Sequence, residues 1–122
     1  MKTYVADFIP RFKKFSKKLD AESLLINQRW VVVDQIKSSK TMYIFQRRIK
    51  LINKSPNLVV SKDGLVEKGF WELLDSETLL ITLGEKIFLF KHGFLDENIL
   101  ALKLDGKDEF AIFFNESRGG ES

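Results

Sequence analysis

The sequence contains no cysteine, one histidine and two prolines in 122 residues. Without cysteine, the chain forms no disulfide scaffold, no thiolate metal site and no cysteine nucleophile. A single histidine excludes metal centres that need several histidine ligands. No apolar run approaches the roughly 18 to 20 residues of a membrane span, and no glycine-rich phosphate loop is present. These absences remove most of the familiar catalytic and cofactor classes and direct attention to packing.

What is present is the composition of one folded domain. Apolar residues make up 44% and charged residues 30% of the chain, enough for a core at this length without a disulfide or a metal. Near the N-terminus, Asp7 and Pro10 interrupt a short apolar stretch, and basic residues follow it, unlike a secretion signal. We therefore expect an intracellular, cytoplasmic protein. Residues 116–122 lack an apolar anchor, and we expect them to form a disordered tail.

An amphipathic helix is predicted near the N-terminus, within a segment of helix and connector that covers residues 1–27. One stripe of this helix carries apolar residues spaced by four, three and four, namely Phe8, Phe12, Phe15 and Leu19. The other side carries the basic residues Lys13, Lys14, Lys17 and Lys18. The stripe either packs onto the rest of the domain, which we favour, or lies on an anionic membrane or in a partner groove.

Charge is distributed unevenly along the chain. Residues 1–54 carry 13 Lys/Arg and 4 Asp/Glu, whereas residues 55–122 carry 7 and 13. This pattern is typical either of a basic patch for an anionic partner or of two halves that neutralise each other, and we favour the second. Arg47 and Arg48 lie near Tyr43 and Phe45, as on single-strand binding surfaces. The acidic second half would repel a phosphate backbone, however, so nucleic-acid binding is not expected.

From residue 28 to residue 115 the pattern changes to short β-rich runs between turn residues. The predicted strands are 29–36, 41–47, 58–61, 65–74, 78–83, 86–91, 98–104 and 108–115. Asp63-Gly64 and Asp105-Gly106 favour tight hairpin turns. The connections are too short for crossover helices. We therefore predict a mainly β domain, an eight-stranded antiparallel up-and-down meander that forms a barrel or a curled sheet, with the N-terminal helix packed against it.

Two of the predicted strands, residues 86–91 and residues 108–115, are apolar on both faces. In residues 86–91, Ile87 and Leu89 alternate with Phe88 and Phe90. A sheet with one face in water alternates more cleanly than this. We therefore predict that part of the outer face is covered, by the N-terminal helix or by a second copy of the chain, and we assign Phe88 and Phe90 to that outer face.

Several aromatic and glycine positions occur in a suggestive order. Trp30 begins the first strand, Tyr43-Ile44-Phe45 lies in the second, Gly64 forms a turn and Gly69-Phe70-Trp71 follows. This order resembles the lipocalin-like, or calycin-type, small β-barrels, and it is similar to small barrel domains of bacterial genomes, over residues 27–115. Lipocalins typically place glycine at the position of Gln28. The resemblance implies a ligand cavity, for which the candidate lining residues are Trp30, Tyr43, Phe45 and Trp71. The eleven phenylalanines favour a filled interior instead, in which both tryptophans are core anchors.

Candidate catalytic residues are few. His92 is the one residue of the type that commonly serves as a base near neutral pH, and we interpret it as a partly exposed turn residue. Asp105, Asp108 and Glu109 lack the alternating ligand spacing of a calcium loop. Glu67 and Glu72 are expected to face water on a strand. We predict no catalytic residue, no metal site and no cofactor.

The leading hypothesis is a non-catalytic interaction module that binds a protein partner or a second copy of itself. Its surface would combine apolar outer-face positions with basic residues, and the candidates are Phe88, Phe90, Lys13, Lys14, Lys17, Lys18, Arg47 and Arg48. The alternative is a barrel that binds a small apolar ligand. A third hypothesis is binding to an anionic membrane or nucleic acid through the basic N-terminal half.

Overall fold

The computed structural model describes residues 17–34, 39–47 and 55–119. The elements in chain order are β1 (Lys17–Lys18), α1 (Glu22–Leu25), β2 (Arg29–Asp34), β3 (Ser39–Phe45), β4 (Leu58–Lys62), β5 (Leu65–Asp75), β6 (Thr78–Leu83), β7 (Lys86–Leu95), β8 (Ile99–Leu104), β9 (Phe110–Asn115) and α2 (Glu116–Gly119). Within the described ranges, no helix has the length and apolar character needed to cross a membrane.

Strands β2 to β9 form a closed antiparallel barrel with up-and-down connections. Each strand pairs with the next along the chain, and β9 returns to pair with β2, where Val31 lies opposite Phe114. The predicted eight-stranded antiparallel meander is confirmed, and of the two predicted forms it is the barrel that occurs. Closure pairs backbone N–H and C=O groups of the two edge strands that an open sheet of eight strands would leave exposed. The ninth strand, β1, pairs with the C-terminal part of β7.

The barrel interior is built from alternate residues of each strand, because successive side chains point to opposite faces. Its largest fully buried side chains include Trp30 and Phe45. Phe45 packs edge-on against Trp71 with ring centroids 5.7 Å apart, an arrangement that aromatic rings favour. Both indole N–H groups are satisfied by backbone carbonyls, Trp30 through Leu25 at 3.0 Å and Trp71 through Gln46 at 2.8 Å.

One end of the barrel is closed by the chain between β1 and β2. Leu19, Leu25 and Ile26 are buried there in the same core cluster as the strand residues. The backbone N–H of Leu19 donates to the Ser76 carbonyl at 2.9 Å, and that of Asn27 donates to the Phe45 carbonyl at 2.8 Å. These bonds attach the segment to the ends of β3 and β5, so it closes this end as a fixed part of the fold.

Leu19 reaches the interior beside a bulge in β7. The strand contains one extra residue between Lys91 and Phe94 relative to β8, and His92 adopts a left-handed φ of 59° there. Beside it, a Cβ on Gly93 would lie 2.6 Å from Cδ1 of Leu19. Only glycine leaves room for the leucine side chain at this position.

A buried amide replaces missing backbone pairing between β4 and β5. The Asn57 side chain donates to the Trp71 carbonyl at 3.2 Å and accepts from the Trp71 backbone N–H at 3.0 Å. Asn57 thereby pairs with Trp71 in the way a neighbouring strand residue would. The arrangement leaves no polar group of that side chain unsatisfied, as burial requires.

The structure corrects three local expectations. Lys17 and Lys18 lie in a strand paired with β7, so the predicted helix does not extend to them; its earlier residues lie outside the described ranges. Part of the expected disordered tail is ordered, since Glu116–Gly119 forms a short helix whose Ser117 hydroxyl accepts a hydrogen bond from the Arg29 backbone N–H. Strand β7 continues to Leu95 through residues expected to form a turn.

Candidate binding site at the open end of the barrel

The two ends of the barrel interior differ in burial. At the end closed by Leu19–Ile26, most interior side chains are fully or almost fully buried, although Leu73, which lies opposite buried Leu79, is half-buried. At the opposite end, where β4 meets β5 and β6 meets β7, interior side chains keep part of their surface exposed. These half-buried residues pack against the core and are Val32, Tyr43, Leu83, Phe88, Phe90 and Ala111. The barrel is therefore sealed at one end and presents a partly exposed apolar interior at the other, which we call the open end.

The register of the tight turns explains which side chains face this interior. The β6–β7 turn places Leu79 opposite Phe90 and Ile81 opposite Phe88. Directly opposed residues share a face of the sheet, and Leu79 and Ile81 belong to the buried core. Phe88 and Phe90 consequently point inward and stack on each other with ring centroids 6.5 Å apart.

The assignment of Phe88 and Phe90 to the outer face is therefore wrong. Their neighbour Ile87 faces outward instead and is 68% exposed. Other large apolar side chains exposed to solvent are Leu65, Val66, Phe70, Leu74 and Phe114. Of these, Phe70 lies on the same outer wall of the barrel as Ile87, since both are paired with Thr82 of β6 in register.

A polar pair stands at the open end among these apolar side chains. Tyr43, Val60 and Glu67 lie directly opposite one another on β3, β4 and β5, so all three share the interior face. The carboxylate of Glu67 lies near the β6–β7 turn, where a Cβ on Gly84 would be 3.6 Å from it. Glu67 is exposed to water on a strand, as expected, and its position on the interior face places it at the rim of the barrel.

The electrostatics of Tyr43 reflect this position. Burial raises the pKa of the Tyr43 hydroxyl above its ordinary value of 10.0, and the negative charge of Glu67 raises that pKa further. The hydroxyl therefore stays protonated at neutral pH and can donate as well as accept a hydrogen bond. The Tyr43 ring packs edge-on against the buried ring of Phe113, with centroids 5.3 Å apart. This contact orients the Tyr43 ring.

The predicted ligand-lining residues divide into two groups. Trp30, Phe45 and Trp71 lie in the sealed part of the interior, where they pack against other core residues and both indole N–H groups are already bonded. Tyr43 alone among the four is half-buried at the open end. The tryptophans serve as structural anchors, and the half-buried interior surface at the open end is formed by Tyr43 with Leu83, Phe88 and Phe90.

The predicted basic surface is only partly described. Lys13, Lys14 and Arg48 lie outside the described residues. Lys17 and Lys18 are exposed, and Lys18 forms an ion pair with Glu77 at 2.7 Å, which raises the pKa of its ammonium above 10.5. Arg47 lies 3.4 Å from Glu22. The pair between Lys18 and Glu77 joins the basic half of the chain to the acidic half.

His92 lies on the outside of the barrel, in a surface depression of about 370 Å³ with Asp75, Ser76, Glu77, Thr78 and Lys91. The Asp75 carboxylate accepts from the Glu77 backbone N–H at 2.8 Å, and this bond lowers its pKa below 3.8. Within the described ranges, no group of three or more metal-ligating side chains is found. This depression joins the turn between β5 and β6 to the β7 bulge and faces away from the interior.

Comparisons with protein-family models, curated proteins and solved structures give no match for the chain. Sequence reasoning missed Leu83, Phe88, Phe90 and Glu67 as residues of the interior. The signal was available in the two-residue turns Asp63-Gly64 and Gly84-Glu85, since such turns fix which residues lie opposite each other.

Proposed function

We propose that the protein is a non-catalytic binder of a small amphipathic molecule, whose apolar part enters the open end of the barrel. The observation that carries the proposal is the difference between the ends. Most interior side chains are buried at one end, whereas Tyr43, Leu83, Phe88 and Phe90 retain exposed surface at the other. Small-molecule sites are commonly concave, mostly apolar, and supplied with a few polar groups that fix orientation.

The chemistry of the rim defines the ligand class. The apolar wall suits an aliphatic or aromatic body, and the Tyr43 hydroxyl and Glu67 carboxylate lie on the same interior face. Lys62 and Lys86, paired across their turns with Leu65 and Leu83, are exposed at the same end. A polar group of the ligand would therefore remain at the rim while its apolar part is removed from water. The proposal includes the assignment of the barrel to the lipocalin-like type, which the sequence resemblance implies.

Binding is tested by titrating the protein with a fluorescent fatty acid such as cis-parinaric acid, followed by displacement with unlabelled fatty acids and uncharged aromatic compounds. We expect saturable, one-to-one binding. Ala111→Phe, which adds a ring inside the open end, should weaken it at least about tenfold, equivalent to 1.4 kcal/mol. Phe88→Ala should also weaken it, because it removes apolar contact surface.

The matched control is Ile87→Ala, since this neighbouring side chain points outward and is 68% exposed. It should leave the dissociation constant unchanged. Equal effects of Phe88→Ala and Ile87→Ala would contradict an interior site, as would the absence of saturable binding across the whole panel.

A second candidate function is protein interaction through the outer face, and it is favoured by the exposed apolar side chains Phe70, Leu74 and Ile87. Exposed apolar residues that cluster on one wall commonly mark an association surface. Light scattering across a concentration series tests whether this face joins copies of the chain. Self-association that Ile87→Asp abolishes supports the candidate, and a protein that remains monomeric at all concentrations argues against association with itself.

A further inference from the structure

The outer face of β5 carries an order of side chains that is complementary to itself. Glu67 lies opposite buried Val60 and Trp71 belongs to the core, so both face the interior. The residues that alternate with them point outward, and the strand ends in a bulge between Leu73 and Asp75. The outward side chains are, in chain order, apolar, positive, apolar, negative and apolar. We call this set the outer stripe, and its members are Val66, Lys68, Phe70, Glu72 and Leu74.

The outer stripe belongs to a wider apolar wall in contact with solvent. Its three apolar members are between 39% and 63% exposed. Phe70 is level with Ile87, two strands away, because both align with Thr82. Leu80 and Leu89 align with Glu72 on the same face and are half-buried. Burial of this wall against another surface would remove apolar area from water, at about 25 cal/mol per Å².

The charges of the outer stripe identify which surface fits. Lys68 and Glu72 are each two residues from Phe70, about 7 Å along the strand in opposite directions. Consider a two-fold axis that passes through Phe70, lies in the plane of contact and runs perpendicular to β5. It places the β5 strands of two copies face to face and antiparallel. Lys68 of each copy then lies opposite Glu72 of the other, and the two Phe70 rings meet at the axis.

Other occupants of the wall fit this order of charges less well. Two copies with parallel β5 strands would bring Lys68 against Lys68 and Glu72 against Glu72, and like charges opposed across an interface cost several kcal/mol. A lipid surface would remove water from both charged groups without giving both a partner. A second copy of the chain supplies both opposite charges at the required spacing.

We infer that the outer stripe is the interface of a symmetric dimer of this chain, in which Lys68 of each copy pairs with Glu72 of the other. The inference rests on the second candidate function, association through the outer face, and it gives that face a partner and a geometry. Because the outer stripe points away from the barrel interior, the ligand site proposed at the open end takes no part in the contact.

Charge-reversed variants of the full-length protein test the geometry. Sedimentation velocity is measured over a concentration series at low ionic strength, where ion pairs are least screened. The native sequence should show a reversible equilibrium between monomer and dimer. Lys68→Glu and Glu72→Lys should each raise the dissociation constant of the dimer at least about tenfold, because each substitution opposes two pairs of like charges.

The decisive sample is an equimolar mixture of the Lys68→Glu and Glu72→Lys variants, which should dimerise again. In a mixed dimer the introduced glutamate meets the introduced lysine, and the native Glu72 of one copy meets the native Lys68 of the other. Net charge does not favour the mixed dimer. The native chain carries +3, so Lys68→Glu lowers the formal charge to +1 and Glu72→Lys raises it to +5.

A matched control is Lys107→Glu, which makes the same change of charge at an exposed position between β8 and β9. It should leave the dissociation constant of the dimer unchanged. Near-UV circular dichroism checks that each variant keeps the native packing of its aromatic side chains. If a charge reversal disturbs this packing, Lys68→Gln and Glu72→Gln take its place, and each must weaken the dimer with a native spectrum for the inference to stand.

Two results would overturn the inference, and they are distinguishable. A native protein that stays monomeric at every concentration excludes both the dimer and self-association of the outer face. A dimer that Ile87→Asp abolishes, but that the two charge reversals leave intact or that the mixture fails to restore, refutes the two-fold geometry alone. In that case, association through the outer face remains the explanation of the dimer.

Discussion

The sealed end of the barrel depends on a steric fit between Gly93 and Leu19, and this fit predicts a specific non-additivity. A Cβ at position 93 would lie 2.6 Å from Cδ1 and 3.0 Å from Cγ of Leu19, and 3.1 Å from Cδ2 of Leu102. Overpacking of this kind costs about 1–3 kcal/mol. Gly93→Ala should therefore lower the free energy of unfolding by that amount.

Leu19→Ala alone should cost about 2–5 kcal/mol, since it removes a fully buried side chain from the core. Independent effects would add. The two shortest contacts of the methyl group introduced by Gly93→Ala disappear, however, when Cγ and Cδ1 of Leu19 are absent, and only the 3.1 Å contact with Leu102 remains. We therefore expect the double variant to be about as stable as Leu19→Ala alone, which corresponds to a favourable coupling of about 1–3 kcal/mol.

Urea unfolding followed by tryptophan fluorescence measures all four corners of this cycle, because Trp30 and Trp71 both lie in the core. Gly106→Ala provides the control: a Cβ there meets no atom within 4 Å, and its φ of +89° imposes only local backbone strain. Its cost should add to that of Leu19→Ala without coupling. If Gly93→Ala destabilises the protein equally with and without the Leu19 side chain, the proposed steric fit is incorrect.

Three further predictions concern polar groups. Asn57→Ala should destabilise the protein by about 1–3 kcal/mol, because it leaves the Trp71 N–H and carbonyl without their side-chain partner, whereas Asn98→Ala, at an exposed side chain, should have little effect in the same urea assay. The hydrogen bond from the Glu77 N–H lowers the Asp75 pKa below 3.8, so the stabilising contribution of this bond is complete above pH 3.8 and is lost as pH falls through the folded-state pKa. Asp75→Asn should therefore flatten the acid side of the plot of unfolding free energy against pH. An unchanged acid side would contradict this role of Asp75. In a spectrophotometric titration, the Tyr43 hydroxyl should ionise above pH 10.0, and Glu67→Gln should lower the Tyr43 pKa. Tyr43→Phe identifies the Tyr43 transition by removing it from the titration curve. If Glu67→Gln does not shift the Tyr43 pKa, the Glu67 carboxylate does not lie near Tyr43.

The strand positions were predictable from local signals, and the closure was not. Turn pairs such as Asp63-Gly64 separate β-rich runs, and each run becomes a strand near its expected position. Closure requires β9 to pair with β2, which joins Trp30 to Asn115 across the length of the domain. No local residue pattern specifies such a contact, because it arises from the combined twist and stagger of all the strands.

The residues of the candidate site illustrate a different difficulty. Strand β7 has large apolar side chains on both faces, so alternation alone cannot tell which face is inside. The register across Gly84-Glu85 resolves the question by aligning Phe88 with Ile81. The bulge at His92 had no such signal, since it lies beside Gly93, where the absence of a side chain makes room for the distant Leu19. Sequence reasoning thus works where a tight turn links neighbours and fails where a remote side chain determines the geometry.

The pairing of β1 with β7 also affects how the barrel meets other molecules. Beyond the point where β6 ends, Phe94 and Leu95 of β7 would present unpaired backbone groups to solvent if Lys18 and Lys17 were not aligned with them. The outermost strand at this location is thus two residues long and carries two ammonium groups. Addition of a foreign β-strand would have to strip water from both charges. The short lysine strand therefore disfavours the addition of a foreign strand to this part of β7.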